Sequence, residues 1–205
     1  MKSKSSDAKR LAVFKGLVFI AALLPLFKLL GDAWLDQLGA NPIENITHRT
    51  GFWTLTFLLI GLSATPLRRL TGMFWPMRLR RMLGLFAFFY ACLHFATYLV
   101  LDQFFDWPAI VQDIAKRPYI TVGFSAFVLL IPLAITSTDA MARRLGGKNW
   151  RRLHALVYPI AIAGVAHFIW LVKKDLSRPL LFAGMLAALL GFRVVLHLRQ
   201  LKLRV

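Results

Sequence analysis

The chain has 205 residues, 58% of them hydrophobic, and carries 26 Lys and Arg against 9 Asp and Glu, a net charge of +17. A soluble domain of this length is nearer half apolar and interleaves apolar with polar stretches, whereas here apolar runs of membrane-spanning length recur. That excludes an ordinary soluble domain and turns the basic charge from a nucleic-acid signal into a topological one. The single cysteine, Cys92, excludes an internal disulfide, and no Cys-x-x-Cys is present to hold an iron–sulfur cluster.

In chain order, the basic segment Met1 to Arg10 leads into a first apolar run, Leu11 to Leu30, with Lys15 and Lys28 near its ends, where they can snorkel. The run has no small-x-small cleavage site at its end and reads as a retained helix rather than a signal peptide. The second span is Thr50 to Ala64, stopping at Pro66; the third is Met82 to Leu101. The fourth is Tyr119 to Thr136, kinked at Pro132. The fifth is Trp150 to Val172, interrupted by Pro159, and the sixth is Pro179 to Leu196. The expected fold is all-α: a bundle of six transmembrane helices over 11–196, with a basic N-terminus at 1–10 and a basic tail at 197–205.

The loops give an orientation. Lys2, Lys4, Lys9 and Arg10 mark the N-terminus, and Arg68, Arg69, Arg78, Arg80 and Arg81 follow span two. Arg143, Arg144, Lys148, Arg151 and Arg152 follow span four, and Arg193, Arg199, Lys202 and Arg204 mark the C-terminus. The loops after spans one and three hold Asp32, Asp36 and Glu44, and Asp102, Asp106 and Asp113. Basic and acidic segments alternate, so both termini are expected in the cytoplasm. The loop after span five, with Lys173, Lys174 and Arg178 against Asp175, breaks the alternation, either as interfacial anchoring or as a basic surface for an acidic partner. Trp34, Trp53, Trp107, Trp150 and Trp170 fall near span ends, as an aromatic belt requires.

Of five histidines, His94 and His167 are deep in apolar surroundings, and an ionisable side chain there is costly unless it has a function. His94 is 13 residues past Arg81, and His167 is 13 past His154. At the helical rise both distances are about 20 Å, so the two imidazoles sit at matching depth in the outer half of the bilayer. Facing each other from neighbouring helices, they can supply both axial ligands of one haem. Gly84, Ala87 and Ala91 share the face of His94, and Ala163 and Gly164 precede His167, so a flat macrocycle finds room; close helix packing alone would also explain these small residues. His154 is too far from His167 to share its iron and implies a second, inner site. His197 is a candidate partner there, or an interfacial histidine in a basic tail. Arg80, Arg81, Arg151 and Arg152 are placed to bind propionates or a flavin phosphate, unless they serve only as positive-inside anchors.

The stretch from Arg81 to His94, and Trp150 to Pro159 followed by His167 and Trp170, resemble the MsrQ family, the haem-binding membrane subunits of the periplasmic methionine sulfoxide reductase system. Asn41 to Glu44, His48 to Gly51 and Thr65 to Arg68 match as well. That family is grouped with the ferric-reductase-like transmembrane domains, whose relatives include NADPH oxidases and STEAP-type metalloreductases. The resemblance implies haem b, one or two per chain, with outer ligands at His94 and His167. It implies an inner ligand at His154, but Arg80 or Arg81 stands where an oxidase has its second inner histidine. The family is also described as flavin-binding, so the inner half is expected to hold FMN near His154 or a second haem. By resemblance, electrons pass from the membrane quinone pool, or a cytoplasmic flavin reductase, to a periplasmic molybdopterin enzyme that repairs oxidised methionine.

No Gly-x-Gly-x-x-Gly follows a predicted strand, so the donor is expected to be a quinol or another protein, and the acceptor a separate periplasmic protein. The chain thus reads as an electron-transfer subunit of the bacterial inner membrane rather than a catalytic one, without a nucleic-acid partner. A quinone-linked metal reductase of the same fold is a second reading. A histidine-relay, proton-coupled transporter is a third, disfavoured by the lack of acidic residues in span centres.

Overall fold

The computed structural model describes residues 2–172 and 174–202, with side chains over 9–172 and 174–200. Lys173 and Arg204, and the side chains of Lys2, Lys4 and Lys202, lie outside the described residues. Among the described residues there are eight α-helices: α1 (Lys2–Trp34), α2 (Pro42–Thr71), α3 (Trp75–Ala96), α4 (Trp107–Lys116), α5 (Pro118–Ile135), α6 (Asp139–His154), α7 (Val157–Leu171) and α8 (Ser177–Lys202). A π-helical turn, Thr97–Asp102, continues α3. Six helical stretches are long and apolar enough to cross a membrane, with α3 and its π turn forming one and α6 with α7 another. The protein is an all-α, multi-pass membrane bundle, with no strand among the described residues.

Helix α2 is the centre. Leu55, Phe57, Leu58, Leu59 and Leu62 are all buried, and α2 packs against α1, α3, α7 and α8. Helix α5 pairs mainly with α7. Helix α1 lies on the outside with Val13, Leu17, Ile20, Leu24 and Phe27 exposed, a face suited to lipid. It is tied inward by the fully buried Tyr90, whose hydroxyl donates to the Ala22 carbonyl at 2.9 Å.

The second span differs from the sequence expectation: α2 begins at Pro42 and runs through Pro66 to Thr71. Its start is capped by Asn41, whose side chain accepts from the Glu44 amide at 3.3 Å. Pro66 lacks the amide that would close the turn onto the Leu62 carbonyl. The guanidinium of Arg193 on α8 donates to that carbonyl instead. Arg193 also donates to Leu189 O at 2.9 Å and lies 5.5 Å from the Tyr158 ring centroid. An apolar environment requires every backbone group to be satisfied, and a neighbouring helix supplies the missing donor.

Two further differences matter for the site. The acidic segment after span three contains a helix, α4, capped by Asp106, which accepts from Ala109 N at 3.1 Å. α4 turns Ile110 inward and leaves Trp107 and Val111 exposed. The helical stretch leading into the fifth span begins at Asp139, is interrupted at Gly146 (φ 74°, ψ 145°), and is broken again at Ala155–Leu156. Pro159 has no amide for the Ala155 carbonyl, which accepts from Tyr158 N at 3.1 Å in a tighter turn. The break separates His154 on α6 from His167 on α7.

Candidate functional site

His94 projects from α3 against α2, and its Nδ1 lies 2.9 Å from the Thr47 carbonyl. His167 projects from α7 against α5, and its Nδ1 lies 2.6 Å from the Tyr119 carbonyl. A carbonyl only accepts, so each Nδ1 carries the proton and donates, which leaves each Nε2 with a bare lone pair. A hydrogen-bonded Nδ1–H of this kind fixes the orientation and raises the basicity of a metal-ligating imidazole. The two rings meet with centroids 6.1 Å apart and planes at 80°. Imidazole nitrogens bind transition metals at about 2 Å, so two rings on opposite sides of one iron have centroids about 6.3 Å apart. The observed separation fits that arrangement.

The rings border a cavity of about 290 Å³ between α2, α3, α5 and α7. Leu55, Leu58, Ala91, Phe127, Leu130 and Phe168 give it an apolar wall, and His48, Tyr98, Asp102 and Arg117 also line it. A largely apolar pocket bordered by two imidazoles whose Nδ1 atoms are both engaged suits a flat, largely apolar macrocycle carrying a metal. Tyr90, one helical turn before His94, is engaged elsewhere: it stacks on Phe57 with centroids 5.4 Å apart and bonds to α1.

A second cavity, about 530 Å³, is lined by Arg80, Arg81, Arg151, Trp150, His154 and Tyr158 among others. The His154 ring stacks on Trp150 with centroids 3.9 Å apart and planes at 24°. Trp150 Nε1 donates to Thr136 O at 2.9 Å. His154 Nε2 lies 3.0 Å from Thr136 Oγ1, whose single proton is directed to Pro132 O at 2.6 Å. Nε2 therefore donates to the hydroxyl, and the nitrogen that is free in His94 and His167 is engaged in His154. No other histidine lines this cavity, and Arg152 and His197 do not line it either. Arg81 is paired with Asp139 at 2.5 Å, so Arg80 and Arg151 are its lining cations without a salt bridge among the described residues. The indole and the guanidinium groups fit an aromatic ring with an anionic tail.

Residues 48–165 match the family model described as "Ferric reductase like transmembrane component". The match takes in His94 and His154 and ends two residues before His167. The protein-methionine-sulfoxide reductase heme-binding subunit MsrQ of Herminiimonas arsenicoxydans is 58% identical over 187 residues, covering 90% of this chain and 86% of that protein. The chain belongs to the MsrQ family of ferric-reductase-like transmembrane components. The MsrQ of Rhodospirillum rubrum is 57% identical over 183 residues (89% of this chain, 88% of that one), and that of Ralstonia nicotianae is 51% identical over 193 (93% and 87%). Membership extends over nearly the whole bundle, both cavities included.

Several residues at the site had no signal in the sequence. The carbonyls of Thr47 and Tyr119 are backbone groups, which residue type does not advertise. Gly51 and Gly123 read as ordinary small residues, although a Cβ at either one would press on a histidine ring. Thr136, which engages His154, lay at an expected span end.

Proposed function

We propose that this chain is a haem b electron-transfer subunit of the bacterial inner membrane, with both termini in the cytoplasm. It passes electrons from the quinone pool, or from a cytoplasmic flavin reductase, to a periplasmic molybdopterin methionine sulfoxide reductase. The observation that carries this is the pair of imidazoles at 6.1 Å, each with Nδ1 held by a carbonyl and Nε2 bare. The haem, when bound, supplies one-electron chemistry. His94 and His167 hold its iron from two helices, and the apolar wall excludes water. Support for the acceptor comes from the relatives, each named a methionine-sulfoxide reductase heme-binding subunit. We assign the cavity around His154 to FMN: Trp150 offers a stacking face, while Arg80 and Arg151 offer charge for a phosphate.

Reduced-minus-oxidised spectra of the purified protein, with haem and flavin quantified per chain, test the reading. The expected result is one haem per chain, lost in both His94→Ala and His167→Ala and kept in His154→Ala. Normal haem content in both of the first two variants refutes the ligand assignment. Loss of flavin without loss of haem in Arg151→Ala supports the second assignment, and unchanged flavin content in both His154→Ala and Arg151→Ala refutes it.

A further inference from the structure

The two histidines are held by the same device, built twice. His94 takes the carbonyl of Thr47, and four residues on, one helical turn away, stands Gly51. His167 takes the carbonyl of Tyr119, and four residues on stands Gly123. A helix carbonyl already accepts from the amide four residues later, and the side chain of that later residue shields its remaining lone pair. Glycine in that place removes the shield and lets a foreign ring reach the carbonyl. The distances show how closely the rings use that space. A Cβ on Gly51 would stand 3.1 Å from Cε1 and 3.2 Å from Nδ1 of His94. A Cβ on Gly123 would stand 2.7 Å, 2.9 Å and 3.1 Å from Nδ1, Cε1 and Cγ of His167, which puts it over the ring face.

We infer that Gly51 and Gly123 are positioning residues of the haem site, which, with the carbonyls of Thr47 and Tyr119, lock the two axial imidazole planes nearly perpendicular. The carbonyl fixes where Nδ1–H points, and the glycine backbone fixes the plane in which the ring lies. Two contacts on each ring remove its rotation about the Cβ–Cγ bond. One clamp belongs to α2 and the other to α5, so the angle between the ring planes, 80°, is set by two separate helices. Perpendicular axial planes keep two of the iron d orbitals nearly degenerate. A ferric low-spin haem then gives a strongly anisotropic resonance with one dominant low-field feature, whereas parallel planes give a three-line rhombic spectrum.

This inference rests on His94 and His167 being the axial ligands, and its test separates the two claims. The ferric, haem-loaded protein is measured by electron paramagnetic resonance, alongside Gly51→Ala, Gly123→Ala and Gly147→Ala. Gly147 is the control: its added Cβ would come 3.3 Å from Arg151 Nη1, a tight approach but against the end of a flexible side chain, and Gly147 lines neither cavity. The expected wild-type spectrum is the single low-field feature, unchanged in Gly147→Ala. Gly123→Ala is expected to move that feature towards the rhombic pattern or to convert part of the iron to high spin, and Gly51→Ala to do the same to a smaller extent. A rhombic wild-type spectrum with haem still lost in His94→Ala and His167→Ala overturns the clamp and leaves the ligand assignment standing. Equal shifts in all three glycine variants reduce the glycines to packing and overturn it too. If Gly123→Ala does not accumulate, the wild-type line shape and the milder Gly51→Ala decide the outcome by the same criteria.

Discussion

The Arg193 cross-link gives a prediction that can be worked in free energy. Pro66 leaves Leu62 O without its helical donor, and Arg193 of α8 supplies one. Arg193→Met keeps an apolar stem and deletes the donor, so the carbonyl is left unpaired in an apolar core. A hydrogen bond involving a charged group contributes about 1.5–3 kcal/mol in soluble proteins. Interhelical hydrogen bonds in a membrane average about 0.6 kcal/mol and reach about 1.7. A cationic donor on a carbonyl with no other partner belongs near the upper end of the membrane range, so the link is worth about 1–2 kcal/mol. Pro66→Ala restores the amide at position 66 and makes Arg193 redundant for this carbonyl. The cost of burying the guanidinium, and its contacts to Leu189 O and Tyr158, are the same in either background and cancel in the cycle. Arg193→Met should therefore be less destabilising by about 1–2 kcal/mol in the Pro66→Ala background than in the wild type. The assay is equilibrium unfolding in mixed micelles, followed by tryptophan fluorescence. Additivity of the two substitutions to within about 0.5 kcal/mol refutes the claim that Arg193 replaces the proline's missing amide.

Two further predictions concern the arginine-lined cavity and the start of α8. Thr136→Val removes the hydroxyl that engages His154 Nε2 without changing side-chain shape, and frees the ring to leave Trp150. FMN affinity, measured by quenching of flavin fluorescence, should fall about fivefold to tenfold, the equivalent of about 1 kcal/mol, and an unchanged affinity removes this contact from the site. Outside the spans, Asp175 accepts from the Ser177 hydroxyl at 2.5 Å and the Ser177 amide at 2.9 Å. The hydroxyl bond, then the amide bond, holds its carboxyl below the usual value. A depressed folded-state value means that the stabilisation is present above the unfolded aspartate pKa, about 3.9, and is lost as pH falls through the lower folded value. In Ser177→Ala the Asp175 titration, followed by carbon NMR of labelled aspartate, should move up towards the ordinary value; an unmoved midpoint contradicts the assigned cause.

What the sequence made legible follows from the kind of signal each feature leaves. Six spans were visible because hydrocarbon thickness imposes a length on every crossing. The meeting of His94 and His167 was foreshadowed by depth, since a regular rise converts residue number into height. Pro66 was read as a stop because the rule for proline is local, while the remedy, Arg193, comes from 127 residues further along the chain. Helix α4 was hidden because a short interfacial helix needs no long apolar run. The clamps were illegible for a deeper reason: a carbonyl carries no residue identity, and Thr47–Gly51 and Tyr119–Gly123 resemble any other i, i+4 pairs until the partner helix is in place. His154 was separated from His167 by helical rise, but its engagement by Thr136 comes from the end of another helix, 18 residues earlier in the chain, which no local pattern announces.

The two cavities are separate in the residues that face their ligands but share part of a wall: Leu58 of α2 and Leu130 of α5 line both. A second bridge runs beside them. Phe88 lines the arginine-rich cavity and stacks on Phe127 at 6.2 Å and 8°, while Phe127 stacks on Phe95 at 4.8 Å and 22°, and both of these line the histidine cavity. Under the proposed function this layout has a physical consequence. A ring compound in the arginine-lined cavity and an iron held by His94 and His167 would be parted by these shared apolar side chains, across which electrons would pass without a charged stepping residue. Leu58, Leu130 and the stacked phenylalanines carry no group that relays a proton, so this part of the wall would oppose the passage of ions. Under the proposed function the six-helix bundle would thus carry electrons without becoming a channel, and that property would come from the residues the cavities share rather than from those that distinguish them.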